Sequence, residues 1–190
     1  MDYKKLFRIV VQFLAHPAKA WMRTSHKGSK NTMLGEFFYP FIMLCGAALF
    51  LGRIINNGLG WDSLYTGVIS AALRSLSLLF AYYLSVYVVS YFTEKYTSNE
   101  YSRDQLALFT GYSMVVVLGL DVCLGLFPEV RVLAFIAQFY TLKIVWDGAA
   151  VLMKIAEERR LAYTMVVALI VIAMPAAVGK LMSYLSIVLR

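Results

Sequence analysis

Lys143 and Asp147 stand four residues apart inside a stretch otherwise suited to lipid, a spacing that puts both on one face of a helix. Tyr140 falls on the same face. An ionisable side chain at the centre of a membrane helix costs roughly 2.5–3.5 kcal/mol by insertion scales, so it needs a partner or a use. Two readings follow. In one, the pair neutralises itself, faces the bundle and fixes helix packing. In the other, the three residues line a polar pocket for a substrate, a proton or a lipid head group.

Asp121 is the next candidate. It lies near the outer end of its apolar run, roughly 12 Å higher in the membrane than Lys143 by helical rise. Read alone, it is a carboxylate partly solvated at the interface. Arg74 is read as marking the outer end of a span rather than sitting inside one. Arg74 and Lys180 can reach the level of Asp121, and convergence of the three would make a small charged site facing outward. Snorkelling is the plainer expectation for Lys180.

Other chemistries find no support. The two aspartates lie at different depths, so they are not a paired-carboxylate centre. Both histidines, His16 and His26, precede the first apolar run, and no Ser-His-Asp set can be assembled. Cys45 and Cys123 sit singly in apolar runs, with neither a disulfide framework nor a metal spacing. No metal site and no cofactor is expected. With no nucleophile–base pair in view, the chain reads as a non-enzyme.

The elements that must carry these residues are membrane helices. Of 190 residues, 61% are hydrophobic and 15% charged, against ~45–50% and ~25% in soluble domains. Several runs exceed the ~18 residues that mark a transmembrane candidate. The expected fold is all-α and integral to the membrane: five spans at about 34–55, 64–92, 106–127, 130–153 and 161–179, forming one domain over 34–190. Pro40 near the start of the first span is tolerated, and Pro175 should kink the fifth. The stretch from Lys180 to Arg190 reads as interfacial.

Residues 1–33 form a cytoplasmic amphipathic segment. Tyr3, Leu6, Phe7, Val10, Val11 and Leu14 recur at helical spacing, while Lys4, Lys5 and Arg8 fall mostly on the other face. Such a helix lies in the membrane interface. Pro17 ends or kinks it. Trp21 and Met22 offer a second contact with the membrane surface, and 24–32 reads as a loop.

Charge placement gives orientation. The net charge of +7 could suggest nucleic acid, but seven of the eighteen Lys and Arg precede position 31. The N-terminal segment and the loops 93–105 and 154–160 hold twelve of them. The other side holds Arg53, Arg131 and Arg190. By the positive-inside rule the N-terminus is cytoplasmic, and five spans then put the C-terminus outside. Nucleic acid is excluded as a partner; membrane lipids are expected.

One segment and one order of features carry a family resemblance. The segment is His16-Pro17-Ala18-Lys19-Ala20-Trp21, just before the first span. In the later block, Gln105 opens the third span, Phe127-Pro128 makes the short turn, Tyr140, Trp146 and Gly148 mark the fourth, and Tyr163 opens the fifth. This pattern resembles prokaryotic members of the Yip family, the Ypt/Rab-interacting membrane proteins, across nearly the whole chain. The resemblance implies five spans, a cytosolic N-terminus and, for a bacterial member, the inner membrane. Eukaryotic relatives act in vesicle traffic and bind Rab GTPases through longer cytosolic regions. Rab binding is not carried over to a chain with about 33 residues before its first span.

The expected function is therefore that of a non-enzymatic, Yip-like membrane protein organising lipid or protein partners in membrane organisation or trafficking. Dimerisation through small-residue faces fits the same sequence. The alternative is a small-molecule or ion transporter or channel built on the Lys-Asp cluster.

Overall fold

The computed structural model describes residues 3–97 and 101–188. Helix α1 runs over Tyr3–Ala15 and helix α2 over Pro17–Lys27. His16 between them has an extended φ of −141°, and Pro17 occupies the first turn of α2, where its missing N–H costs nothing. Among the described residues five helices are long and apolar enough to cross a membrane: Lys30–Asn57, Trp61–Tyr96, Arg103–Leu126, Pro128–Val151 and Glu157–Leu185. We call these the first to fifth spans. No strand occurs among the described residues.

Several boundaries differ from the sequence reading. The loop expected over 24–32 shrinks to Gly28 and Ser29. Its polar residues extend α2 to Lys27, and the Ser29 hydroxyl caps the first span by accepting from the Thr32 N–H at 3.2 Å. Of the loop expected over 93–105, residues 98–100 lie outside the described residues, as does Arg190, and both flanks of the loop are helical. Ser102 caps the third span, accepting from the Gln105 N–H at 3.1 Å. The fifth helix continues to Val188, so the described part of the 180–190 tail is a helical extension, and Pro175 sits inside it.

Three spans are not uniform helices. The first contains a π turn at Leu34–Phe38, the third breaks at Met114, and the fourth breaks at Gln138 and Phe139. Lys154, at φ 49°, turns the chain out of the fourth.

The third span is the central one. In its most apolar window 72% of residues are buried, against 33–44% in the other four. The first span packs on the second and third, and the second on the fifth. The fifth packs on Tyr140–Val151 of the fourth, which also meets α2 and the third span. Lipid offers little hydrophobic drive for helix association, so close fit must supply it. Gly52 and Gly125 provide that fit between the first and third spans: a Cβ on Gly52 would collide with the Gly125 carbonyl.

This contact generates a prediction with an unusual sign. Helix propensity alone favours Ala over Gly by about 1 kcal/mol. Gly52→Ala should nevertheless destabilise the protein by about 1–3 kcal/mol, because backbone must move. Gly35→Ala, where nothing lies within 4 Å, should be neutral or mildly stabilising. Unfolding in detergent measures both, and a stabilising Gly52→Ala would refute the tight crossing.

Candidate functional site

The fourth span carries the first charged pair. Lys143 Nζ donates to Asp147 Oδ1 at 2.9 Å, within one helix. The two side chains sit in different surroundings, with Lys143 55% exposed and Asp147 10%. Asp147 Oδ2 is buried without a hydrogen-bond partner. Tyr140 shares the face, but its hydroxyl is committed elsewhere and donates to the Leu14 carbonyl at 2.7 Å, near the end of α1. The Lys-Asp pair therefore lies on the same face as the residue that anchors the α1–α2 elbow.

The second pair joins two spans. Arg74 Nε donates to both oxygens of Asp121, at 2.9 and 3.1 Å, and a terminal guanidinium nitrogen also bonds Oδ1. This forked geometry suits arginine. It corrects one expectation and extends another. The Trp61–Tyr96 helix is longer than one bilayer crossing needs, and Arg74 lies within it, paired to Asp121 across to the third span. Asp121 is not a solvated carboxylate, because its side chain is only 11% exposed and is paired. Ionisable residues within apolar helices pair with one another rather than remain single. Lys180 is exposed, with no ion pair among the described residues, so it does not join them.

The N-terminal residues divide into three sectors around α1. Leu6 and Phe13 are buried against the bundle, and Phe13 stacks on Tyr112 at 4.7 Å. Tyr3, Phe7, Val11 and Leu14 form an exposed apolar strip beside them. Lys4, Lys5 and Arg8 are exposed on the rest of the circumference. Lys5 reaches Glu36 of the first span at 3.2 Å.

Trp21, expected at the membrane surface, is fully buried instead. Its Nε1 donates to the Ile144 carbonyl at 2.9 Å, and its ring packs beside Phe13, Phe109 and Tyr112. Gly148 makes the room: a Cβ there would come within 2.7 Å of both Trp21 and Phe109. A tryptophan offered a notch and a carbonyl satisfies both its apolar body and its polar tip inside the protein.

With this geometry in place, the comparisons decide the family. The Yip1 domain matches residues 11–178. The chain belongs to the Yip family. No curated protein and no solved structure matches it. The Yip family is a non-enzymatic membrane family whose members interact with Rab GTPases and membranes. The match and the five apolar helices together make this a multi-pass membrane protein.

Sequence reading missed the partners. Glu36 was legible as an acidic residue two positions into an apolar run, but nothing in the sequence pointed it at Lys5. The Leu14 and Ile144 carbonyls carry no sequence signal at all.

The unequal burial of Lys143 and Asp147 predicts unequal mutants. Lys143→Met strands a buried carboxylate and should cost about 2–3 kcal/mol, somewhat under the loss for a fully buried pair. Asp147→Leu leaves an unpaired ammonium on an open face of the span, where its long stem lets it snorkel towards the interface, and should cost less. The double variant should lie near the Asp147→Leu value. Unfolding in detergent tests the order, and equal single-variant costs would contradict the asymmetry.

Proposed function

We propose that this Yip-family protein organises lipids or protein partners at the cytoplasmic surface of the bacterial inner membrane, without catalysis. The supporting observation is the three-sector arrangement of α1. One face is fastened to the bundle, the next is apolar and open, and the third carries Lys4 and Arg8. A helix in that position lies with its apolar strip among acyl chains and its cations at the phosphate level. Each cation near an anionic leaflet contributes about 1 kcal/mol. The basic N-terminal segment puts this surface in the cytoplasm, and an odd number of spans puts the C-terminus outside. The trafficking role of the wider family enters as membrane organisation.

A transport reading draws on one observation: Asp147 Oδ2 is unpartnered while Lys143 stands half exposed beside it. It requires an aqueous path to that pair. Solute flux into proteoliposomes that disappears in the Lys143→Leu/Asp147→Leu double variant would favour it over the organising role.

The leading reading predicts a loss on charge reversal. In bilayers containing phosphatidylglycerol, the Lys4→Glu/Lys5→Glu/Arg8→Glu variant should recruit fewer anionic lipids or partners around the protein. A fluorophore at Phe7→Cys should then report a more polar environment. Unchanged lipid enrichment and unchanged emission would remove the basis for a working α1 surface.

A further inference from the structure

A second polar feature lies at the other end of the first span from Glu36. A cavity of about 280 Å³ opens between the first, second and fifth spans, lined among others by Arg53, Ser70, Arg74, Ser77, Gly179 and Ser183. At about 30 Å³ per water, it has room for roughly nine waters, or for one phosphate group with part of its ester.

The charge in this cavity is not balanced. Arg74 is neutralised by Asp121 behind it. Arg53 is partly buried and has no ion pair among the described residues. No acidic residue lines the cavity. The lining therefore carries one uncompensated positive charge, beside a second guanidinium held in place by its carboxylate. Ser77 is 1% exposed, and its hydroxyl has no hydrogen-bond partner. A buried hydroxyl lining a cationic cavity gains a bond if an anion enters.

The wall is also shaped around Arg74. A Cβ on Gly179 would lie 2.7 Å from an Arg74 terminal nitrogen and 3.7 Å from the Ser77 hydroxyl. Glycine at this point keeps the guanidinium, the hydroxyl and the cavity in contact. Arginine suits such a site because its planar donors match phosphate oxygens in pairs.

We propose that this cavity binds a phosphate ester anion, with Arg53 and Arg74 as its cationic contacts and Ser77 as a neutral donor. No residue of α1 lines it, so the site stands apart from the basic helix and from the organising role proposed for that helix. The phosphate belongs either to an anionic phospholipid head group or to a soluble ester of the same chemistry.

The test uses the full chain in detergent, with Lys4, Lys5 and Arg8 changed to Gln so that α1 does not contribute. Native mass spectrometry measures binding of dioleoyl phosphatidylglycerol and of dioleoyl phosphatidylcholine, whose choline cation opposes Arg53. Phosphatidylglycerol should bind more tightly, and Arg53→Gln should weaken it about tenfold, the scale of one charge-assisted contact. Arg53 makes no ion pair among the described residues, so this variant should fold. The paired change Arg74→Gln/Asp121→Asn, neutral overall, should weaken binding similarly. If excess glycerol phosphate leaves lipid binding intact, the ligand is a lipid head group. If it competes, the site takes a soluble ester. Equal binding of both lipids, together with no change in Arg53→Gln and no glycerol phosphate binding, would overturn the proposal.

Discussion

The seat of Trp21 in the notch at Gly148 governs the N-terminal half of the molecule. Lipid gives two helices little reason to meet, so a contact that excludes both lipid and water has to be made by shape. Trp21 does this with a large ring against a residue lacking a side chain, and it adds a hydrogen bond to the Ile144 carbonyl. Once α2 is fixed to the fourth span, the turn at His16 directs α1 back along the bundle. Phe13 then meets Tyr112, Tyr140 reaches the Leu14 carbonyl, and Lys5 reaches Glu36. The basic face of α1 is therefore held at a set orientation by the bundle, in addition to any attraction to lipid.

The central third span supplies the other half of the framework. Its surroundings come from nearly every other element, so its residues are chosen by protein neighbours rather than by lipid. Gly111 lies against Met33, Gly125 against the first span, and Asp121 against Arg74 of the second. Breaking this span at Met114 is tolerable because the surrounding elements exclude lipid from the turn; irregular backbone at membrane depth survives only when covered.

Composition and run length made the five spans legible, since a bilayer imposes a length that few other constraints impose. The amphipathic period of residues 3–14 was legible for the same kind of reason. Side-chain destination was not. Trp21 follows a basic helix, where amphipathic rings commonly sit at an interface, and only the small residue at 148, far off in sequence, converts it into an interior residue. Arg74 and Asp121 could be placed at a similar level by counting, yet counting along helices says nothing about rotation, which decides whether two side chains face each other. The polar stretch 24–32 looks like a loop by composition, yet α2 runs on to Lys27 and the Ser29 cap starts the next helix, so only two residues stay non-helical.

The two ion pairs of the candidate site differ in what they can do for the fold. Arg74–Asp121 joins the second and third spans, so breaking it loosens a helix–helix contact and leaves two poorly hydrated charges. Lys143–Asp147 lies within one helix and ties no two elements together. Its geometry fits self-neutralisation, which belongs to the structural reading of the pair, and Asp147 stands one residue before the Gly148 notch. The carboxylate is buried beside the residue that seats Trp21, and Lys143, one turn away, is the nearest cation on its own helix to balance it. On this account the pair follows from the docking of α2, and a helix that released Trp21 would also re-expose Asp147.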